Sequence, residues 1–544
     1  MQLQKRTKFI VVTGGVLSGL GKGTVTSSLG LLLKMQGYSV TAVKMDPYIN
    51  VDAGTMRPTE HGEVFVTDDG GETDQDLGNY ERFLDVTIKK SHSITTGQVY
   101  LAVIKKERNL EYDGKCVEVI PHVPLEIQKR IESVAAETQA DVVLIEVGGT
   151  VGDYQSILFL EALREMKRVL NNVVFVHVAY LPIPDNIGEM KTKPAQHSVR
   201  FLNSCGIQPD FIVARASRQL DEPRRKKLSL FCNVKDDEVI SSHDVPTIYE
   251  LPVIFEEQKL TEKILGKFKL RWKKSSQLSE WKKFVHKIKN FEKSIHLGVV
   301  GKYFDIGDFT LEDSYVSVIE AIKHASWNNS VKPKIYWIDS KDFEKDNSKL
   351  ELLSEFDAII VPGGFGSAGV EGKIKAIQYC RENNIPYLGL CYGLQLAVIE
   401  FARNVCGLEG ANTTEVDRRT PHPVIDILPE QKKNIEDSNY GATMRLGAYP
   451  ANLRKGTLVW KLYGKEVVYE RHRHRYEVNP DYIPILEKHG LVFSGISPDR
   501  RLMEFSEFPQ HKFFVGTQAH PEFKSRPLRP SPLFDGLIKA ALRK

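Results

Sequence analysis

Twice along this chain, apolar runs of buried-strand length alternate with segments of helical period, and a basic stretch separates the two series. Strand–helix alternation is the pattern of a parallel sheet covered by helices. In the first series FIVVTGG (9–15) ends in glycines. Val25, Leu29, Leu32 and Leu33 then mark one helix face, and Gly37 is a stop signal. YSVTAVK (38–44), DVVLIEVGG (141–149), NVVFVHVAY (172–180) and DFIVAR (210–215) continue the strands. SIHLGVVGKY (294–303), KIYWIDS (334–340), DAIIVPGG (357–364) and IPYLGL (385–390) open the second series, with a helical pattern around 371–382. GKEVVYE (464–470) and KFFVGTQ (512–518) read as further strands. At 544 residues the chain exceeds what one core holds. The predicted class is α/β, with two doubly wound domains at 1–270 and 295–544 and a basic linker at 271–294.

Composition excludes several classes. Hydrophobic residues make up 41% and charged residues 26%, ordinary for a globular protein. No run of about 18 apolar residues could span a bilayer. The start, MQLQKRTKFIVVTGG, runs directly into glycines and reads as a first strand, not a signal peptide. Cysteines at 116, 205, 232, 380, 391 and 406 form no CxxC pair, so neither a zinc site nor a disulfide framework is expected and a reduced cytoplasmic setting is. Net charge is +4, yet residues 267–293 carry ten Lys/Arg against two Glu. Trp281, Phe284, Val285 and Ile288 fall at helical spacing there, which reads as the apolar stripe of a linker helix, with a membrane or nucleic-acid contact as the alternative. Neither nucleic acid nor membrane is expected as a partner.

One cysteine stands in a reactive frame. IPYLGL-Cys391-YG reads as strand, sharp turn and helix, with Gly389 and Gly393 two residues to either side. This is the Cys form of a nucleophile elbow, and a helix N-terminus favours a thiolate. A buried structural cysteine is the alternative. Ala519-His520-Pro521-Glu522 supplies a base and its orienter: proline keeps His520 extended, and residues i and i+2 of an extended segment point the same way. Pro362-Gly363-Gly364-Phe365-Gly366, at a strand end, offers free N–H groups for an oxyanion, or is a simple turn. At these three motifs the domain resembles class I glutamine amidotransferases. The resemblance implies hydrolysis of glutamine to glutamate and ammonia through a thioester on Cys391.

The first half carries phosphate chemistry. Gly14 to Thr24, GGVLSGLGKGT, joins the first strand to the first helix, so N–H groups and Lys22 suit a phosphate. The spacing departs from G-x-x-x-x-G-K-[ST]: Val16 holds the first glycine position and Lys22 precedes Gly23. Lys44, with Asp46 two residues on, adds a second cation. Glu146 ends the buried run DVVLIE, where a metal carboxylate suits, and Asp74 lies in TDDGGETDQD (67–76), where a solvated loop is the competing reading. Lys191-Thr192-Lys193-Pro194-Ala195-Gln196 suits a polyanion or a solvated loop equally.

GGVLSGLGKG (14–23), KMDPYINVDAGTM (44–56), HGEVFVTDDGGETDQDLGNYERF (61–83), GGTVGD (148–153), KTKPAQHSVR (191–200) and RHRHRYEVN (471–479) together resemble the CTP synthase family over almost the whole chain. That resemblance implies a P-loop, Rossmann-like synthetase domain followed by the glutaminase domain. It implies that ATP phosphorylates the 4-oxygen of UTP and that ammonia displaces the phosphate. Gly19, Leu20, Gly21, Lys22, Gly23 and Thr24 would hold ATP, Lys22 and Lys44 would support catalysis, and Asp74 and Glu146 would hold Mg²⁺. Ser18, Asp153, Tyr154, Gln155, Lys191, Thr192, Lys193, Pro194, Ala195, Gln196 and Lys227 would meet UTP or CTP. Gly364, Tyr392, Gly393, Leu394, Gln395, Glu415 and Arg475 would hold glutamine, and His61 would lie near the ammonia passage. The family implies homotetramers, filaments and GTP as allosteric activator.

Three departures stand out. Ser18 is followed by Gly19 where the family has a second serine, Gln155 replaces a glutamate, and Ser367-Ala368-Gly369 stands where an arginine usually follows PGGFG. The last removes a guanidinium from the lid linked to GTP. Two rival readings are a cobyrinate-type amidase, which takes a carboxylate substrate, and a partitioning-type ATPase, which leaves Cys391, His520 and Glu522 without a purpose.

Overall fold

The computed structural model describes residues 7–272, 276–301, 305–306, 309–310, 312–429, 431 and 441–543. They form two compact units. Unit 1 takes the chain up to Asp52 and Asp76–Lys289; unit 2 takes Ala53–Gln75 and the chain from Asn290 onward.

Unit 1 is built on β1 (Lys8–Gly15), β2 (Val40–Asp46), β3 (Ser93–Thr95), β4 (Val142–Val147), β5 (Val173–Tyr180), β6 (Phe211–Ala216) and β7 (Val239–His243). Their order is β3-β2-β4-β1-β5-β6-β7, and every pairing is parallel. Helices cover both faces, so the strands are apolar on both sides: Phe9, Ile10, Val11 and Val12 are fully buried. The chain winds outward to β3 on one side of β1 and, once β4 has filled the gap, to β7 on the other. Loops at the carboxyl ends of β1, β2 and β4 therefore diverge around a crevice.

The basic helix Ser276–Lys289 belongs to unit 1. Its stripe of Trp281, Val285 and Ile288 is buried, Trp281 packs near Phe83 and Tyr249, and its Nε1 donates to the Tyr249 carbonyl at 2.9 Å. Apolar periodicity thus reports a packed face, while the lysines lie outside it; Lys289 pairs with Glu250 at 2.7 Å.

Unit 2 carries β8 (Ser294–Gly301), β9 (Lys332–Asp339), β10 (Ala358–Val361), β11 (Tyr387–Leu390), β12 (Arg445–Leu453), β13 (Val467–His474), β14 (Val492–Ile496), β15 (Met503–Glu507) and β16 (Phe514–Thr517). The order is β9-β8-β10-β11-β16-β15-β14-β12-β13. Pairings from β9 to β16 are parallel, and those from β16 to β13 antiparallel. β13 runs four residues past the predicted end at 470, because the charged sequence RHRH finds partners on both faces of the strand.

Ala53–Gln75 lies within the first predicted domain along the chain but packs in unit 2. Phe65 meets Phe523 edge to face at 5.1 Å, the Ala448 N–H donates to the Asp68 carbonyl at 2.9 Å, and the Ser317 N–H donates to Glu63 at 3.1 Å. These pairings span hundreds of residues, so no local pattern announces them.

Candidate active sites

In unit 2, β11 ends at Leu390 and the helix Tyr392–Asn404 begins at once, with Cys391 as its N-cap. Cys391 has φ 49° and ψ −97°, a conformation that non-glycine residues adopt only when the surroundings impose it. The surroundings here are tight. A Cβ on Gly393 would lie 2.2 Å from the Val361 carbonyl oxygen, and one on Gly389 2.7 Å from the Gly393 carbonyl carbon. Only glycine permits that approach, and the Cys391 N–H donates to Thr517 O at 2.6 Å.

His520 follows β16. Its Nδ1 is 2.7 Å from Glu522 Oε1, and the ring lines a cavity together with Cys391. Burial opposes charge on the imidazole, but Glu522 and Cys391 raise its pKa to about 10. The imidazole is therefore held in its protonated form, with Glu522 fixing the ring. Gln518, two residues earlier on the same face, donates from Nε2 to Cys391 Sγ at 3.6 Å.

A cavity of about 280 Å³ opens on Cys391 and is lined by Gly364, Tyr392, Gln395, Glu415 and Arg475, all named from the sequence. Glu415 accepts from the Gly366 N–H at 2.8 Å, and the Tyr392 hydroxyl donates to the Gly366 carbonyl at 3.0 Å, so both hold the glycine loop. Arg475 Nη1 donates to Gln431 Oε1 at 2.5 Å. Gly393 and Leu394 are buried in the helix and do not line the cavity. Phe365, Arg418, Met444, His474 and Tyr476 do, and single-residue reading missed them; only the RHRHRYEVN run pointed at the last two. A second cavity of about 270 Å³ also touches Cys391 and His520 and is lined by Gly54, Met56, Pro58 and Val64. His61 Nδ1 lies 3.8 Å from Asp74 Oδ2 in the same unit.

In unit 1 the phosphate loop leads into the helix Lys22–Met35 through Gly21, whose φ is 82°. Val16 has φ 87°, so the position that usually needs glycine keeps a glycine-like backbone despite its Cβ. Ser18 and Gly19 are exposed at the loop tip, while Leu20 and Gly23 are buried and Gly21 and Thr24 partly so. Lys22 Nζ donates to the Gly149 carbonyl at 2.8 Å.

Strand register assembles the charges. Lys44 on β2 lies opposite Glu146 on β4, and Lys44 Nζ reaches Glu146 Oε1 at 2.9 Å. Lys44 also pairs with Asp76, and the Tyr80 hydroxyl donates to the other Glu146 oxygen. Asp76 was missed by the sequence reading, which favoured Asp74, two residues earlier in the same acidic run. Burial, with Asp76 adding, pushes Glu146 up to about 7 although Lys44 opposes it. Burial and then Lys44 lower the Lys22 pKa.

Lys191, Thr192, Lys193, Gln196 and Lys227 line a cavity of about 520 Å³, to which Arg224 also contributes. Arg224 sits one turn before Lys227 in the run RRKK, a signal available in the sequence. Pro194 and Ala195 do not line it; Ala195 is buried in the core. Tyr154 and Gln155 line a different concavity of about 540 Å³ with Tyr48 and Ile49, and Asp153 accepts from the Thr150 N–H at 3.2 Å.

Residues 8–270 match the family model for the CTP synthase N-terminus, and residues 310–540 that for class-I glutamine amidotransferase. The chain is 55% identical over 538 residues to a CTP synthase of Pyrococcus furiosus, covering 98% of each. It is 55% identical to that of Saccharolobus solfataricus, covering 98% of this chain and 99% of the relative. With the CTP synthase of Methanocaldococcus jannaschii it shares 53% over 546 residues, 99% of each.

Proposed function

The chain belongs to the CTP synthase family, and from that premise we infer that it aminates UTP to CTP with ATP, taking ammonia from glutamine. One observation carries the glutaminase half: Cys391, forced into a left-handed turn at a helix start, faces His520 held by Glu522 beside a cavity of amino-acid size.

The Cys391 thiolate attacks the glutamine carboxamide carbon, and the His520 imidazolium gives its proton to the departing ammonia. Water, deprotonated by the now neutral His520, cleaves the thioester to glutamate and restores the thiolate and imidazolium. Gly364 lines the cavity, and N–H groups of its glycine loop would stabilise the developing oxyanion. The second cavity, which leads from Cys391 to Gly54 and Met56, is the first stretch of the ammonia route within unit 2.

In unit 1, Lys22 and Lys44 neutralise charge on the phosphoryl group as it moves from ATP to the UTP 4-oxygen. Ammonia then adds at C4, and the phosphate leaves. Among the described residues no set of three or more His, Cys, Asp or Glu side chains could hold a metal. Mg²⁺ commonly needs only one or two carboxylates beside nucleotide phosphates, and Glu146 with Asp76 fits that requirement. The ion, when bound, would neutralise phosphate oxygens. The part the resemblance gives Asp74 rests on sequence. Lys191 to Gln196, Arg224 and Lys227 suit the triphosphate of UTP or CTP.

We further assign a homotetramer able to stack into filaments, GTP as activator and a cytoplasmic setting. Exposed Ile49, Tyr154 and Ile157 around the Gln155 concavity support burial against a second copy, and the six unpaired cysteines fit a reducing compartment. No helix among the described residues is long and apolar enough to cross a membrane. The test is CTP formation from UTP and ATP with glutamine or ammonia as nitrogen donor. Failure with both donors in a folded protein would overturn the assignment.

A further inference from the structure

β13 alternates: its arginines point to one face and its histidines to the other. His472 and His474 are 1% and 2% exposed, and His472 Nδ1 lies 3.1 Å from His474 Nε2. Three charged side chains enclose them. Arg445 donates to Glu504 Oε1 at 2.6 Å and to Glu477 Oε1 at 3.2 Å; His472 Nε2 is 3.3 Å from Glu504 Oε2, and His474 Nε2 is 3.4 Å from Glu477 Oε1. The remaining ring atom, His474 Nδ1, lies 3.2 Å from the Tyr476 carbonyl oxygen. That same oxygen accepts from Gln395 Nε2 at 2.8 Å, and Gln395 sits on the helix that Cys391 begins.

We propose that His474 is a positioning residue for glutamine: its Nδ1–H and the Gln395 amide clamp the Tyr476 carbonyl, holding Arg475 and the Arg473 carbonyl in place against the Cys391 helix. The proposal rests on the reading of the Cys391 site as a glutaminase. A carbonyl oxygen can only accept, so Nδ1 must carry the proton. Nε2 of a neutral His474 then carries no proton. Burial and then Arg445, 3.4 Å from His472 Nδ1, hold both imidazoles well below their ordinary pKa, and burial raises Glu504 and Glu477. The His474 Nδ1–H and the Gln395 amide thus converge on the Tyr476 carbonyl, which fixes the His474 tautomer.

The location gives the run its use. His474 lines the glutamine cavity with Cys391 and Arg475, and Cys391 Sγ is 3.8 Å from the Arg473 carbonyl. A buried polar cluster is costly to desolvate, and a purely structural position on this strand would be filled more cheaply by an apolar side chain.

Glutamine-dependent and ammonia-dependent CTP formation are to be measured for the full chain and for His474→Asn, His474→Gln and His474→Leu. Asparagine can place an amide N–H where Nδ1 stands; glutamine places one where Nε2 stands. The expected order for glutamine KM is wild type and Asn close together, with Gln and Leu raised by about tenfold or more, and ammonia-dependent turnover unchanged in all. A Gln variant equal to or better than Asn would overturn the proposal even if the Leu variant fails to fold. So would ammonia-dependent losses that match the glutamine-dependent ones. The wild-type glutamine-dependent rate tests the underlying glutaminase reading separately.

Discussion

Arg473 Nε donates to Glu72 Oε1 at 2.8 Å, joining residues 401 positions apart inside one compact unit. Both side chains are nearly buried. With Arg471, which pairs with Asp68 at 2.5 Å, this bond fastens Ala53–Gln75 to the strand that ends beside Cys391. Removing one partner strands a buried charge, so Glu72→Ala is expected to lower the stability of unit 2 by about 3 kcal/mol. Urea unfolding reads the loss, and removing Arg473 as well should recover part of it. A Glu72→Ala protein as stable as the parent would show that the pair does not anchor the segment.

Cys391→Ala separates the two halves. Glutamine-dependent synthesis should fall by about a thousandfold or more, while synthesis from free ammonia remains near the parent rate. Steady-state CTP formation at saturating ammonia checks this directly; loss of both activities in a folded variant contradicts the division of labour.

His520 gives the glutaminase its pH limit. Its folded pKa is raised from 6.5 to about 10, so the stabilisation from the imidazolium is complete below 6.5 and is lost as pH rises through about 10. Hydrolysis of glutamine should therefore persist far into the alkaline range. Glu522→Gln removes the first cause of the rise, moves the falling limb to lower pH and lowers kcat by about a hundredfold or more. An unmoved limb in a pH–rate profile would dissociate Glu522 from the state of His520.

Lys44→Met should have the opposite selectivity to Cys391→Ala. Lys44 touches both Glu146 and Asp76, so its loss is expected to stop CTP formation from either nitrogen donor while glutamine hydrolysis continues. Glutamate release without CTP is the signature to look for.

Ser367-Ala368-Gly369 follows the glycine loop, where the family resemblance leads one to expect an arginine. GTP titration should show weak stimulation of glutamine-dependent turnover, and Ala368→Arg should increase it. Ordinary stimulation of the parent chain would mean that the activator is held by other groups.

Features of short range were legible before any coordinates. Strand–helix alternation gave both sheets, since buried parallel strands must be apolar on both sides, as Phe9 to Val12 are. The Gly389–Cys391–Gly393 frame read as an elbow and the His520–Glu522 spacing as a contacting pair, because elbow geometry and i, i+2 alternation are local properties of backbone. The loop around Lys22 was legible for the same reason.

What the tertiary structure decided is which distant groups meet. Asp76 stands beside Lys44 where the acidic run offered several carboxylates, since strand register selects among them. Ala53–Gln75 packs in unit 2 because its carboxylates find Arg471 and Arg473, a match of charge without local period. His474 looked like one residue of a basic run, and came to line the cavity at Cys391 when β13 turned its even residues toward Glu477 and Glu504. Sequence alone determined the reactive groups, for those depend on residue type and near neighbours; packing determined how each is held, for burial and pairing act through space.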